Sequence, residues 1–140
     1  MKKIISLLLS LILTALLFSC GNGAPRIERE DWVLASVTYY REVVYVSEEL
    51  HAQAPTASVL DCTLKAKGGT LTVTDLTNDK TYTGSYEKRQ EPSPSSADHD
   101  LTFGKTPGRA LLTNNTLSDG TKQTALTISV DAYTLFFIAR

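Results

Sequence analysis

The segment LDCTLKAKGGTLTVTDL, residues 60–76, carries the pattern that decides the fold. Every second residue from 60 to 66 is apolar, as in a β-strand that buries one face and exposes the other to water. Gly68 and Gly69 then mark a turn, after which Leu71 and Val73 alternate with threonines. The segment therefore predicts two antiparallel strands joined by a short turn, with the Cys62 side chain on the buried face.

The same kind of pattern continues towards both ends of the chain. Asn78-Asp79 predicts a turn into another strand at 81–87, in which Gly84 lets the sheet coil sharply. Asp119-Gly120 is a strong hairpin signal. The first and last predicted strands are apolar on both faces, which is typical of strands that are covered on both sides.

Turn signals and alternating segments together predict an all-β domain. Residues 47–51 give one helical turn, and the Pro- and Ser-rich segment 90–98 predicts a surface loop without fixed structure. Eight antiparallel strands in chain order form a meander that closes into a small barrel and removes its edges. The predicted strands are 32–41, 59–67, 69–76, 80–88, 100–103, 109–113, 123–130 and 133–139, and 43–46 is an extension or a ninth strand.

The first twenty residues, MKKIISLLLSLILTALLFSC, have the features of an export signal rather than of a fold element. Two lysines precede an apolar run at 4–18, which is shorter than the about twenty residues of a membrane-spanning helix. The run ends in LFSC (residues 17–20), which resembles the lipobox of bacterial lipoproteins. The resemblance implies cleavage between Ser19 and Cys20, a diacylglycerol thioether on Cys20, and an N-linked acyl chain such as palmitate.

The implied lipid anchor divides the chain into a signal peptide at 1–19, a lipidated tether at 20–30 and a folded domain at 31–140. Gly21 follows the lipidated residue, where an Asp would retain a lipoprotein at the inner membrane. The resemblance therefore implies a cell-envelope protein of the outer membrane, in its periplasmic or surface leaflet. The membrane is then a partner through the anchor.

The domain at 31–140 is similar to the small bacterial lipocalin-like lipoproteins. The shared features are a Trp that opens the first strand (WVLAS, 32–36) and the run YTGSY (82–86) with LTF (101–103) after it. A third feature is the terminal pair LTI (126–128) and DAYTL (131–135). This resemblance implies a lipocalin-like β-barrel.

Composition limits the partners and the covalent structure of the mature protein. Without Lys2 and Lys3, twelve Lys and Arg remain against fifteen Asp and Glu, a formal charge of −3. No basic patch interleaved with aromatic residues indicates nucleic-acid binding. With Cys20 lipidated, Cys62 has no partner for an internal disulfide. We therefore expect a single monomeric domain that depends on its apolar core.

The sequence contains no recognisable catalytic motif. Gly-x-Ser-x-Gly, His-Glu-x-x-His, a phosphate-binding loop and a paired-carboxylate spacing are all missing, so we expect a non-enzymatic protein without a cofactor. Asp98-His99-Asp100 offers metal-ligand types, but consecutive strand residues point to opposite faces. We expect a solvated turn there and no metal site. Cys62 lies between Leu60 and Leu64 in the alternation, which predicts a buried structural thiol.

Five aromatic residues are candidates for lining a ligand cavity: Trp32, Tyr40, Tyr82, Tyr86 and Phe103. An eight-stranded barrel either holds one small ligand or is filled by its own side chains, and the sequence leaves both open. A hollow barrel predicts a binding module for a small apolar or amphipathic ligand. A filled barrel predicts a domain that binds an envelope or host protein, as lysozyme or protease inhibitors do, through loops such as 90–98 and 114–122.

Overall fold

The structure, a computed structural model, describes residues 24–140. The predicted signal peptide, Ser19 and Cys20 lie outside the described residues. Two 3₁₀ helices cover Ile27–Arg29 and Glu48–Gln53, and the second includes most of the helical turn expected at 47–51. Within residues 24–140, no helix is long and apolar enough to cross a bilayer. The strands are β1 (Trp32–Tyr39), β2 (Glu42–Val46), β3 (Ser58–Val59), β4 (Cys62–Lys67), β5 (Thr70–Asp75), β6 (Lys80–Lys88), β7 (Ser96–Phe103), β8 (Thr106–Thr116), β9 (Lys122–Val130) and β10 (Tyr133–Ala139).

Eight of these strands form a closed antiparallel barrel, which confirms the predicted fold class. β4 to β10 pair with one another in chain order, and β1 lies between β10 and β4. Trp32 stands opposite Ala139 of β10 on one side and Leu64 of β4 on the other. The sheet therefore closes on itself, and a chain of residues 21–140 contains the complete barrel.

A β-bulge in β1 explains why its sequence is apolar on both faces. The register with β10 shifts between Leu34 and Ser36. An extra residue reverses the alternation of the side chains beyond it. The inward positions accordingly change from Trp32 and Leu34 to Val37, and all three side chains pack in one core.

β2 and β3 are additional strands beside the barrel. β1 pairs with β4 only at its first two residues and with β2 from Ser36 to Tyr39. β3 then adds to β2 in the parallel sense. The short strand expected at 43–46 is thus confirmed as part of β2, and β2 takes the place of β4 in the wall where β1 ends.

The Pro- and Ser-rich segment is more ordered than its composition predicts. β7 begins at Ser96 rather than at residue 100, and Ser96 pairs with Thr113 of β8. The prediction of an unstructured loop is wrong for its last three residues, because Ala97 packs into the core. The Ser93 hydroxyl also accepts a hydrogen bond from the Ser96 N–H at 3.1 Å, which turns the chain before the strand.

One end of the barrel is covered by the chain that precedes β1. Ile27 is 0 % exposed, and its carbonyl accepts a hydrogen bond from the Trp32 indole N–H at 2.9 Å. The backbone N–H of Arg140 donates to the Asp31 carbonyl at 3.0 Å, so the last residue lies at this end as well. Packed structure thus begins inside the segment expected to be a tether. We call this the closed end; it comprises residues 24–31, the turn 68–69 and the loops 89–95 and 117–121.

The opposite, open end carries the hairpin turns 40–41, 76–79, 104–105 and 131–132. Between the two ends, large apolar side chains fill the barrel, as alternation with one buried face requires. Those that are almost completely buried are Trp32, Leu34, Leu64, Leu71, Leu112, Leu126, Ile128 and Phe137. The interior is therefore packed in its middle, and only the ends leave room for other molecules.

Candidate functional site

The open end of the barrel contains a pocket of about 560 Å³ with a mainly apolar wall. Its volume falls within the roughly 300–1,000 Å³ of small-molecule sites in proteins. The pocket lies above the filled layer, and strands from around the barrel as well as β2 contribute to it. The apolar and aromatic lining residues are Val37, Tyr45, Leu60, Val73, Tyr82, Phe103, Ile128, Val130, Tyr133 and Leu135.

Gly84 allows the Phe103 ring to form part of this wall. A Cβ atom at position 84 would lie 2.7 Å from Phe103 Cδ1 and 2.9 Å from the Thr102 carbonyl oxygen. Both distances are shorter than any normal contact, so only a residue without a side chain fits there. Gly84 therefore has a packing role in addition to the strand coiling that the sequence predicts.

Tyrosines are concentrated around the open end. Five of the six tyrosines of the chain lie there, and each is substantially exposed: Tyr39, Tyr40, Tyr45, Tyr82 and Tyr133. The ring centroid of Tyr39 is 4.6 Å from that of Tyr40 and 4.8 Å from that of Tyr133. Tyrosine combines a large apolar ring with a polar hydroxyl, so this rim suits a ligand that is partly apolar and partly polar.

Asp75 places a negative charge in the pocket wall. The residue is 7 % exposed, and its two carboxylate oxygens accept hydrogen bonds from the Asn78 backbone N–H (2.9 Å) and side-chain amide (2.8 Å). The side-chain hydrogen bond from Asn78 is the main reason why the pKa of Asp75 is lowered. Asp75 is therefore ionised at neutral pH although it is buried.

Cys62 lines the pocket near Asp75 and is buried, which confirms the position expected from the alternation. Burial, together with the negative charges of Asp75 and Asp61, raises the pKa of the thiol from 9.0 to about 11. Only a small fraction of Cys62 is thiolate at neutral pH, and the thiolate is the reactive form. Cys62 therefore contributes apolar surface to the pocket and is a poor nucleophile.

A second polar cluster lies at the closed end, under the first 3₁₀ helix. The Tyr86 hydroxyl donates to Glu28 Oε1 at 2.6 Å, and burial with this contact raises the pKa of Tyr86 to about 12. The ring of His99 stands edge-on to Tyr86, with centroids 5.8 Å apart. His99 is 8 % exposed, its Nδ1 has no hydrogen-bond partner among the described residues, and burial lowers its pKa.

The expectation that His99 lies in a solvated turn is wrong, because residues 96–103 form a strand and His99 points into the barrel. Its neighbours point outwards. Asp98 is held by the Arg109 guanidinium on the outer face, and Asp100 lies 3.6 Å from Arg89. Within residues 24–140, no group of three or more metal-ligating side chains is arranged around one point.

The structure separates the five aromatic residues that the sequence proposed as cavity lining. Tyr82 and Phe103 line the open-end pocket. Trp32 is completely buried in the core, and Tyr86 lies at the closed end. Tyr40 is in the turn after β1, 72 % exposed, and is not among the lining residues.

Sequence reasoning missed most of the pocket residues, including Tyr45, Leu60, Tyr133 and Leu135. The signal was available, since in an antiparallel meander every second turn lies at the same end of the barrel. Apolar residues next to the turns at 76–79, 104–105 and 131–132 therefore converge.

No protein-family model, curated protein or solved structure matches this chain.

Proposed function

We propose that this protein is a membrane-anchored lipoprotein of the bacterial envelope, and that its barrel binds a small apolar or amphipathic ligand without enzymatic chemistry. The observation that carries the binding proposal is the apolar pocket of about 560 Å³ at the open end. A small-molecule site is typically a concave apolar surface with a few polar groups that fix orientation. The pocket has this composition, with Asp75, Asn78 and the tyrosine hydroxyls as its polar groups.

Exposed aromatic residues give further support. Tyr45, Tyr82 and Tyr133 line the pocket and remain accessible to water. Large apolar surfaces that stay in contact with water often mark binding sites, because covering them is favourable. A ligand that inserts its apolar part between these rings would cover them while leaving their hydroxyls available for hydrogen bonds.

We further propose that the domain is lipocalin-like, on the basis of its sequence features and the closed eight-stranded barrel. Trp32, which opens β1, occupies the core at the closed end and donates its indole N–H to the preceding segment. A lipocalin barrel of eight strands is just wide enough to hold one small ligand. The pocket at the open end of the barrel supports this assignment.

The proposed anchor on Cys20 agrees with the position of the chain at residue 24, which lies at the closed end. Lipid on Cys20 would hold the closed end towards the bilayer and leave the open end facing away from it. Replacing Cys20 by Ala should leave the protein unprocessed or free of membranes. A variant C20A that is still cleaved and still partitions with lipid would refute the anchor.

The binding proposal is tested by native mass spectrometry of residues 21–140 purified gently from the host. We expect an additional mass that is lost on denaturation. The variant Leu60→Trp adds a large ring to the pocket wall and should abolish this mass, whereas Leu117→Trp, in the 117–121 loop at the closed end, should retain it.

An independent probe avoids reliance on a copurified molecule. N-phenyl-1-naphthylamine, which is apolar and uncharged, should gain fluorescence with the parent chain and with Leu117→Trp but not with Leu60→Trp. A bare mass together with no fluorescence change would refute ligand binding in the barrel. The search would then move to proteins that bind the loops 90–98 and 114–122, the alternative that the sequence left open.

A further inference from the structure

We propose that the ligand of the open-end pocket is a cationic amphiphile, an apolar chain or ring system that carries an amine or quaternary ammonium group. This inference rests on the proposed binding function and names the chemical class of the ligand. The observation behind it is the sign of the charges in the wall. The two charged lining residues are Asp75 and Asp131, and no Lys, Arg or His of residues 24–140 lines the pocket.

Asp75 contributes a buried negative charge with unused hydrogen-bonding capacity. An ionised carboxylate offers about four acceptor positions; Asn78 occupies two of them, and the backbone of Thr77 also hydrogen-bonds to the carboxylate. Lys80 stands opposite Asp75 in the pairing of β5 with β6, and its charge makes the smallest contribution to the lowered pKa of Asp75, but Lys80 is exposed and is not a lining residue. A charge in an apolar wall is most favourable when a charge of opposite sign approaches it, because the surroundings screen the attraction weakly.

The position of Asp131 extends this negative region to the rim. Asp131 is in the turn between β9 and β10, directly before Tyr133, and its side chain is accessible to solvent. A cationic group at the mouth would therefore lie close to a carboxylate whether it entered deeply or stayed near the surface. A carboxylate or phosphate head group would meet repulsion at both depths.

The aromatic rim favours the same class of ligand. The faces of aromatic rings carry partial negative charge and attract ammonium groups. Tyr45, Tyr82 and Tyr133 place such rings in the lining beside the two carboxylates. The apolar wall of Leu60, Val130 and their neighbours then accommodates the uncharged remainder of the molecule.

The turns and strand ends around the open end add no net charge of their own. Apart from Asp75 and Asp131, they carry three acidic and three basic side chains: Glu42, Asp61 and Asp79 against Arg41, Lys80 and Lys105. The negative sign of the cleft therefore comes from the two lining carboxylates, and a net charge in a cleft raises the local concentration of ligands with the opposite charge.

The test compares three twelve-carbon probes that differ in their head group: dodecyltrimethylammonium, dodecanol and dodecanoate. Each is titrated into residues 21–140 that contain N-phenyl-1-naphthylamine, and displacement of the dye is measured. The two charged probes are kept below their micelle concentrations, and dodecanol is kept below its solubility limit. With a charged head about 6 Å from the carboxylates, we expect the ammonium probe to bind at least about tenfold more tightly than dodecanol. Dodecanoate should bind most weakly.

Variants assign this preference to the carboxylates. Asp131→Asn should reduce the ratio of ammonium to dodecanol affinity several-fold, and Asp75→Asn should reduce it further. Glu87→Gln removes an exposed carboxylate from the outer face of β6 and should leave the ratio unchanged. Because Asp75 also binds Asn78, its variant is compared only after its circular dichroism and unfolding midpoint have been shown to resemble those of the parent.

The outcomes separate the two proposals. Dodecanol or dodecanoate affinity equal to or above that of the ammonium probe overturns the cationic ligand class and leaves the binding function standing. A preference that is unchanged in both Asp131→Asn and Asp75→Asn also overturns it, because neither carboxylate then accounts for the discrimination between head groups. Failure of the dye and of all three probes to bind overturns the proposed function itself.

Discussion

Replacing Ile27 by Ala tests whether the chain before β1 belongs to the folded unit. Ile27 is 0 % exposed and covers the closed end of the barrel. The substitution removes three carbon atoms, and at about 0.8 kcal/mol per buried methylene the lost transfer energy is about 2.4 kcal/mol. The cavity that remains adds to this, so we expect the free energy of unfolding to fall by about 3–4 kcal/mol.

The measurement is urea unfolding followed by the fluorescence of Trp32, the one Trp of the chain. The Trp32 indole donates to the carbonyl of residue 27, so the reporter adjoins the substituted side chain. A loss of this size also lowers the melting temperature of a domain of about 120 residues by about 10–15 °C.

The control is Leu76→Ala, which truncates a side chain that is 55 % exposed in the turn 76–79. We expect it to change the free energy of unfolding by less than about 0.5 kcal/mol. If Ile27→Ala also costs less than about 1 kcal/mol, the packing described for Ile27–Arg29 is refuted and the segment is only a tether.

Three further predictions concern single positions in the barrel. Gly84→Ala should destabilise the protein by about 1–3 kcal/mol in urea unfolding, because the new Cβ would press against the Phe103 ring. Ser85→Ala, at the exposed neighbouring position, is the control, and an equal loss of stability in both variants would contradict the prediction. Burial lowers the pKa of His99 below its usual value of 6.5, so near pH 6 the unfolded chain binds more protons than the folded chain does. The free energy of unfolding should therefore fall as pH decreases through 6.5, with a slope of at most about 1.4 kcal/mol per pH unit. Melting curves between pH 7.5 and 5 should show a weaker dependence in His99→Gln, and identical slopes would disprove the assignment. At pH 8, iodoacetamide should alkylate Cys62 in residues 21–140 about a hundredfold more slowly than it alkylates an unperturbed thiol, because the pKa of Cys62 is raised from 9.0 to about 11. Equal rates in native and urea-unfolded protein would show that the thiol is accessible and would contradict its burial.

The sequence predicted the barrel because each strand carries its own evidence. The alternation in 60–76 and the turn signals at 78–79 and 119–120 specify local pairs, and closure follows when enough such pairs occur in order. The bulge in β1 was not predictable, because a register shift depends on the partner strand and leaves only a strand that is apolar on both faces. Composition was misleading at 96–98, where pairing with β8 and burial of Ala97 outweigh the Pro- and Ser-rich context.

The candidate site was predicted less well than the fold. Aromatic character selected Tyr82 and Phe103 correctly as residues at the pocket, but it also selected Trp32, which fills the core. Whether an inward side chain fills the barrel or lines a cavity depends on its height along the axis, and alternation alone does not encode height. Asp75 could not be predicted as a pocket residue for the same reason. Its carboxylate is held in the wall by a turn that brings the Asn78 amide within hydrogen-bonding distance.

The first and last strands of the barrel begin and end at the closed end, as the backbone hydrogen bond from Arg140 to Asp31 shows. The open end consists of hairpin turns that connect neighbouring strands. Exchanges of side chains in these turns alter the mouth, whereas insertions would also act on the strand register, because the length of a hairpin loop helps to fix it. The strands that form the barrel are thus separate from the turns that surround its mouth. A library of substitutions restricted to the turns 40–41, 76–79, 104–105 and 131–132 would sample new binding specificities on an unchanged barrel.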